Sequence, residues 1–422
     1  MTIARRAARC ARFAGALAAL LAARPALAQH EMAGMEHPPR GLTAGGGASA
    51  IVVATTVDPG IAGRRLSEGY LTQPMLHGHV GLLRGALGAT GMINFEGATL
   101  RRGELAPGAW GEGYEDRRHP HSWIHELVGY AATPDYRGVA VSIAGGKGFA
   151  PYGTDDPMVR PLERFPVNHH LSQILERAVV IGALRWRPIT VEGGVFNGDE
   201  PESPTDAPDA SHFANSWARR LTIRAPGGVE LQASDAHVRS PESPSGRAPD
   251  HQQRSASARI ERTIAVGELY ALAEWSTLRM TKSGVDAGRL GSALFETSLA
   301  RGPVTIAARY ERSLRPEEER LTNEFRTVYP SAEVQNLGVT RFDIATVALS
   351  GAARVVGIRV APFIELSRVV ARPTAVPAAF TPAAFYGRDR IAVLSVGTRL
   401  AVGMLHHRVG RYGVAEAPAM DR

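Results

Sequence analysis

Cysteine is almost absent from this chain. The one cysteine, Cys10, lies near the N-terminus, so the rest of the chain can form no disulfide, thiolate metal site or cysteine nucleophile. Long apolar runs are absent as well beyond the first 28 residues, which excludes a membrane-spanning helix of about 20 residues. There is also no HExxH, P-loop or GxSxG motif, so the common sequence signatures of hydrolases and nucleotide-binding enzymes are missing.

Lysine is scarce too. Lys147 and Lys282 are the two lysines, so the formal net charge of +7 rests almost entirely on arginine. A basic protein often binds nucleic acid, but the export signal described next argues against a nucleic-acid partner. A strongly GC-biased genome also explains an arginine excess without any function.

Residues 1–28 have the parts of a cleavable secretory signal. A basic region comes first, an apolar stretch runs from Phe13 to Ala23, and an A-x-A cleavage site ends at Ala28. Cys10 precedes the apolar stretch and therefore cannot be a lipoprotein acceptor. We predict export with cleavage. A large exported protein without cysteines needs another source of stability, and a closed barrel, in which every strand is paired, is one.

Residues 29–49 would form a periplasmic leader after cleavage. Its soft or borderline metal ligands lie at close spacing and are His30, Met32, Met35 and His37. Tracts of this kind can hold copper. The alternative is a flexible leader that binds no metal.

From about residue 50, apolar and polar side chains alternate in segments of about ten residues. Examples are 258–265, 269–276 and 304–311. A period of two residues is typical of a β-strand with unlike faces.

The connections between these segments alternate in length. Tight turns are predicted at Pro134-Asp135, Arg187-Pro188, Pro226-Gly227-Gly228, Val266-Gly267, Gly302-Pro303 and Gly351-Ala352. Long loops are predicted at about 58–76, 100–123, 147–174, 198–215, 240–253, 281–289, 315–336 and 372–386. This sorting predicts an all-β protein, a transmembrane antiparallel up-and-down β-barrel of the bacterial outer membrane, with short periplasmic turns and long outer loops.

About sixteen strands fit the segment lengths, with about twelve to fourteen as the alternative. The barrel would occupy residues 50–402, and an even strand number would place both termini in the periplasm. Residues 403–422 are then a periplasmic C-terminal tail, or Tyr412 closes a further strand; we favour the tail.

The loop at 147–171 lies between the fifth and sixth predicted strands. Here the architecture resembles the general bacterial porins, whose third loop folds inward at the same place and narrows the pore. The resemblance implies a constriction loop carrying Lys147, Asp155, Asp156 and Arg160, and a homotrimer as the oligomeric state.

Most arginines on the predicted strands should face the lumen, because arginine facing the lipid midplane costs about 2–4 kcal/mol. They are Arg177, Arg185, Arg219, Arg259, Arg309, Arg341 and Arg359. Rings of charge select ions electrostatically. The alternative is that these arginines pair with glutamates and simply fill the barrel.

Histidines cluster in two outer loops. His119, His121 and His125 lie in the segment DRRHPHSWIHEL, and His169 and His170 end the next loop. Imidazole and carboxylate groups together can hold Zn²⁺ or Cu²⁺. The alternative is a hydrogen-bonded network that packs the two loops.

The segments DRRHPH, GKGFAPYGTDDPMVRP, NHHLSQILER and VFNGDEPESP resemble a family of poorly characterised, predicted bacterial outer-membrane proteins. The resemblance covers about 120–200, and it implies an association with copper and heavy-metal handling.

These patterns predict a porin-like channel for passive diffusion of small solutes or ions, which is not an enzyme and requires no cofactor. Its expected partners are outer-membrane lipid, lipopolysaccharide and the barrel-assembly machinery. The alternative is an envelope protein that binds copper or zinc and confers metal resistance. An outer-membrane hydrolase is a third reading, but no nucleophile with a nearby base can be named from the sequence.

Overall fold

The structure is a computed structural model. It describes residues 41–60, 63–100, 105, 122–154, 157–167, 169–201, 204–208, 210–241, 248–318, 336–374, 381–403 and 408–416.

Strands make up most of the regular structure in these ranges, and the described parts of the chain contain seventeen of them in succession. Their bounds are Thr43–Asp58 (β1), Leu66–Leu82 (β2), Leu87–Asn94 (β3), Ile124–Ala132 (β4), Val139–Gly148 (β5), Arg177–Trp186 (β6), Ile189–Phe196 (β7), Ser216–Ala225 (β8), Val229–Val238 (β9), Asp250–Ile264 (β10), Gly267–Lys282 (β11), Val285–Arg301 (β12), Val304–Glu318 (β13), Asn336–Gly351 (β14), Ala353–Val355 (β15), Ile358–Pro373 (β16) and Arg390–Gly403 (β17). Glu96–Thr99 and Pro382–Phe385 are short helices. Within the described ranges no helix has the length and apolar character needed to span a membrane.

The strands form one closed antiparallel barrel. Successive strands pair with each other, and the first strand also pairs with the last, with Thr55 opposite Ser395. β15 has three residues and pairs with β16, which also pairs with β14. Sixteen strands therefore form the wall and β15 is one extra short strand. This confirms the predicted fold class.

The two faces of the wall differ as the alternating pattern predicts. On β6, Val179 and Ile181 are buried on the inner face, whereas Val180 and Leu184 are exposed on the outer face. An exposed apolar outer face and an enclosed inner face are expected when the barrel is surrounded by lipid. The protein's core accordingly lies inside the barrel.

Five of the six predicted tight turns connect paired neighbouring strands at one end of the barrel. The sixth prediction, Gly351-Ala352, is wrong by about five residues: the chain continues from β14 into β15 there and reverses at Val356-Gly357, where both residues have positive φ. At the other end, the long connections include 149–176, which joins β5 to β6 as predicted. We call these the turn end and the loop end.

Two of the predicted long loops are wrong. Most of 58–76 belongs to β2, which pairs with β1 from Leu66 onwards. The predicted loop 281–289 is a two-residue turn, Ser283-Gly284, between β11 and β12. Both turn residues have positive φ, at 51° and 80°, as a tight hairpin turn requires. The ends of these strands carry polar side chains, and the sequence analysis interpreted these polar residues as parts of loops.

β1 begins at Thr43, within the stretch predicted as leader. Its first residues, TAGGGAS, have too few apolar side chains to show alternation. Their backbone nevertheless pairs with β2, with Gly47 opposite His77. Pairing here comes from the backbone, because β2 lies beside the whole segment and β17 joins it on the other side from Gly47 onwards.

Candidate functional site: the barrel lumen

The loop 149–176 runs into the lumen and contacts the wall on several strands. Near its start, the Gly153 N–H donates to Ser234 Oγ on β9 at 2.9 Å. Further along, the buried Arg160 guanidinium lies 2.9 Å from the Glu274 carboxylate on β11. Because hydrogen bonds to ionised groups are stronger than neutral ones, these contacts hold the first half of the loop against the wall.

The second half of the loop reaches strands further around the barrel. Glu163 forms an ion pair of 2.7 Å with Arg399 on β17. The Val167 N–H donates to the Glu311 carboxylate at 3.0 Å, and Arg315 donates to the Val167 carbonyl at 2.5 Å. Glu311 and Arg315 are both on β13, so this connection between β5 and β6 crosses the lumen.

The base of the loop is held by a buried cluster around Glu176. Its carboxylate lies 2.6 Å from His125 Nδ1 and 3.6 Å from Lys147 Nζ. Ser122 donates to the same carboxylate from its hydroxyl at 2.8 Å, and Lys147 also contacts this hydroxyl. Because Lys147 is the second-last residue of β5 and Glu176 directly precedes β6, the cluster ties the two ends of the loop together.

The C-terminal segment 408–416 also lies inside the barrel, which corrects the predicted periplasmic tail. Arg408 makes two bonds of 2.7 and 2.8 Å to the Glu230 carboxylate. Two wall arginines donate to backbone carbonyls of the segment: Arg220 to Gly410 at 3.0 Å and Arg224 to Ala415 at 3.1 Å. Arginines and a glutamate of the wall therefore bind the backbone and a side chain of this segment. We call residues 408–416 the C-terminal plug.

Tyr412 joins the plug to the loop. Its side chain is buried, and its hydroxyl accepts a hydrogen bond of 2.9 Å from the Phe149 N–H. The hydroxyl also hydrogen-bonds to Glu126, and burial raises the pKa of Tyr412 well above its usual range. A β-carbon at Gly148 would overlap the Tyr412 hydroxyl, so glycine at this position allows the two segments to approach.

Charged groups on the lumen wall are buried in pairs and networks. Glu192 lies 2.6 Å from Arg220 and 3.5 Å from Arg411 of the plug. Arg309 lies 3.3 Å from Glu296 and 3.5 Å from Glu311. In a medium of low polarity an uncompensated charge is strongly unfavourable, which explains the pairing of acidic with basic side chains.

The predicted constriction residues lie in different surroundings. Lys147 belongs to the cluster at the loop base, and Arg160 is inside the lumen against Glu274. Asp155 and Asp156 lie outside the described residues.

Five of the seven predicted lumen arginines are on the inner face. Arg177 pairs with Glu200 at 2.6 Å, Arg185 with Asp135 at 3.3 Å and Arg259 with Glu261 at 2.5 Å. Arg309 is described above, and Arg359 shares the inner face of β16 with the buried Phe363.

Arg219 and Arg341 are on the outer face, contrary to the prediction. Arg219 shares its face of β8 with the exposed Trp217 and Leu221, and Arg341 shares its face of β14 with the exposed Val347. The expectation failed because arginine is unfavourable only towards the lipid midplane and costs little nearer the interface.

Sequence reasoning missed Arg220, Arg224, Glu192, Glu230 and the plug. The sequence did contain a signal for Arg220. In SWARRLTIRA, Trp217, Arg219 and Leu221 are spaced by two residues and so lie on one face of the strand. If the apolar Trp217 and Leu221 face the lipid, Arg220 must face the lumen. No signal in the sequence marks 408–416 as a lumen segment.

Of the predicted metal ligands, the structure describes the side chains of His125 and His169. His125 contacts Glu176, and His169 Nδ1 lies 3.3 Å from the Pro166 carbonyl oxygen. The described parts of the chain contain no group of three or more His, Cys, Asp or Glu side chains that could hold a metal ion. The remaining candidates fall outside the described side chains: His30, Met32, Met35, His37, His119, His121 and His170.

A comparison with protein-family models gives no match, and a sequence comparison with curated proteins gives none. Solved structures that resemble the fold include the Vibrio cholerae outer-membrane protein OmpT in its trimer form, at 8% identity and a TM-score of 0.48, covering 86% of this chain and 99% of that one. Another is Pseudomonas aeruginosa OccK10, at 11% identity and a TM-score of 0.38, covering 86% of this chain and 99% of that one. A third is an anion-selective porin from Comamonas acidovorans, at 11% identity and a TM-score of 0.37, covering 85% of this chain and 99% of that one. At TM-scores below 0.5 these likenesses add nothing to what the strands themselves show.

Proposed function

We propose that the protein is a porin-type channel of the outer membrane through which small polar solutes or ions diffuse passively. The observation that carries the proposal is the contrast between the faces of the closed wall. Exposed apolar side chains such as Val180 and Leu184 lie outside, and buried charged side chains such as Arg309 and Glu296 lie inside. A polar lumen inside an apolar outer surface is the arrangement that a water-filled path requires.

The loop 149–176 and the C-terminal plug narrow this path. The loop contacts β9, β11, β13 and β17, whereas the plug binds the sector from β5 to β9. The two segments meet at Tyr412 and Phe149. Glu163 of the loop and Arg408 of the plug keep part of their side chains accessible, at 13% and 11%. A solute that passes these groups would be discriminated by its charge.

The proposal is tested by single-channel recording in planar lipid bilayers. Folded protein is verified first by its heat-modifiable migration on a gel. Discrete current steps are expected from the wild type or, if the plug closes the lumen, from a variant that ends at Gly403. Folded protein of both forms without any steps in salt solution would refute a channel.

A further inference from the structure

Among the residues that the structure describes, three clusters of the same composition lie on the outer face of the barrel, and each has one aspartate between two arginines. Asp235 lies 2.9 Å from Arg219 and 3.7 Å from Arg254. Asp286 lies 3.2 Å from Arg279 and 2.9 Å from Arg289. Asp343 lies 2.6 Å from Arg312 and 3.2 Å from Arg341. We call these the outer-face triads.

The outer-face triads occupy one continuous sector of the wall, from β8 to β14. Their arginines lie in the loop-side half of their strands: Arg254 is near the start of β10 and Arg279 near the end of β11. They are well exposed, with 72% of the Arg254 side chain and 47% of the Arg279 side chain accessible. Position and exposure place these charges towards the loop-side boundary of the apolar surface.

Aromatic side chains on the same outer face support this depth. Trp275, Phe295 and Tyr310 are exposed on β11, β12 and β13, and Phe295 is directly opposite Tyr310. On β11 and β13 the triad arginine follows the aromatic residue towards the loop end. Aromatic residues form girdles at the membrane–water boundary, so the triads of Asp286 and Asp343 lie at the depth of lipid headgroups. In the Asp235 triad the order differs, but Arg219 lies over the ring of the exposed Trp217 at 5.5 Å and therefore at the depth of that aromatic residue.

The composition of the triads specifies an anionic partner. Two guanidinium groups share one carboxylate, so each triad keeps a net positive charge. The shared aspartate holds both guanidinium groups in place, and guanidinium matches the oxygens of a phosphate in a fork-like geometry. Arg368 and Arg372 on β16 and Arg390 on β17 are also exposed and share this loop-side outer surface.

We propose that the outer-face triads form a binding surface for phosphate-bearing headgroups of outer-leaflet lipid, the chemistry presented by the lipid A part of lipopolysaccharide. The proposal rests on the outer-membrane location of the barrel and not on conduction. It assigns to Arg219 and Arg341 a role at the lipid surface in place of the role in the lumen expected from the sequence.

The test is a lipid-binding titration of the whole mature protein, folded in detergent and followed by native mass spectrometry. The probes are bisphosphorylated lipid A and lipid A with the same acyl chains after removal of its phosphates. The wild type should bind the phosphorylated lipid at least about tenfold more tightly, because charge-assisted bonds to phosphate are lost with the phosphates.

The test variant replaces the six triad arginines by glutamine, and it should lose most of this difference. The matched control, Arg262→Gln with Arg301→Gln, changes two outer-face arginines at the turn end and should bind like the wild type. Heat-modifiable migration verifies the fold of each variant. If the sixfold variant does not fold, the three single-triad variants are compared, each with an expected loss of about threefold.

Three outcomes would overturn the proposal. The first is equal affinity of the wild type for the two lipids. The second is unchanged affinity in the sixfold variant, or in all three single-triad variants. The third is an oligomer of lipid-free wild type that dissociates in the triad variants, because the sector would then be an interface between copies of this chain.

Discussion

The loop 149–176 and the C-terminal plug fill the same lumen but are held there differently. The loop is covalently joined to β5 and β6, and the Glu176 cluster closes its base. The plug follows the last strand, and within the described residues it is held against the wall by non-covalent contacts. Release of the loop would require disruption of the wall strands or the base cluster, whereas release of the plug requires only the loss of non-covalent contacts. We therefore expect the plug to leave the lumen more readily than the loop.

The largest effect is expected from a variant that lacks residues 404–422. β17 pairs with β1 up to Gly403 opposite Gly47, so closure of the barrel does not need the removed residues. Conductance should rise severalfold because the plug leaves the β5 to β9 side of the lumen. Single-channel recording measures this. An unchanged conductance of the folded variant would mean that the plug does not narrow the path.

Glu192→Gln should be the most destabilising single substitution of the comparison. It leaves Arg220 and Arg411 buried without the shared carboxylate, and breaking a buried ion pair in this way costs about 3–5 kcal/mol. Urea unfolding followed by gel migration measures the free energy of unfolding. The matched control is Asp235→Asn on the outer face, whose exposed pairs should contribute about 0–1 kcal/mol. If both variants lost the same free energy of unfolding, the ion pairs of the lumen would contribute no more to stability than those of the outer face, contrary to this prediction.

Glu176→Gln tests the base of the loop. The substitution weakens charge-assisted bonds from His125, Lys147 and Ser122, with an expected loss of about 1.5–3 kcal/mol. Limited proteolysis should also show faster cleavage within the loop, while the plug is unaffected. Asp135→Asn, which changes an exposed pair at the turn end, is the control. Cleavage at the wild-type rate would show that the cluster does not hold the loop.

Tyr412→Phe should have the smallest effect, about 1 kcal/mol, because it removes hydrogen bonds but keeps the packed ring. It also has a pH signature. Burial raises the pKa of Tyr412, so the folded state holds the phenolic proton more tightly than the unfolded state. The stabilisation is fully present below the ordinary tyrosine pKa of about 10 and is lost as the pH rises above it. The difference between wild type and Tyr412→Phe in unfolding free energy should therefore shrink or reverse above this pH. A constant difference would contradict the assignment.

The strands were predictable because the alternating pattern is local. In the segment 304–311, Val304, Ile306 and Tyr310 are exposed on the outer face and Ala307 and Arg309 are buried inside, in the phase that the sequence indicates. Most turns were predictable for the same reason, since proline narrows and glycine widens the range of backbone conformations at a single position. Predictions failed where polar side chains continued a strand, as at 281–289, and where glycines had no side chain to alternate, as at the start of β1.

The site was only partly predictable. The insertion of 149–176 was expected from its length and from the resemblance of its place, between β5 and β6, to that of the third loop of general porins. The partners of Arg160 and Val167 did not, because Glu274 and Glu311 are more than one hundred residues away. The spacing of Trp217, Arg219 and Leu221 showed that Arg219 lies on the apolar face of its strand. The prediction nevertheless placed Arg219 in the lumen because of its charge. The outer-face triads could not be predicted, because their members lie on neighbouring strands and come together only in the pairing registers of β8 to β14.

The sequence by itself determined a barrel wall with an inner and an outer face, because side-chain alternation and turn chemistry act over a few residues. Only the tertiary structure decided that 408–416 enters the lumen. Its arginines, Arg408 and Arg411, are as polar as those of a solvated tail. Arg411 becomes buried and Arg408 partly buried because closure of the barrel brings Glu192 and Glu230 together from separate strands. Compensation of charge in an enclosed space depends on all of those strands at once.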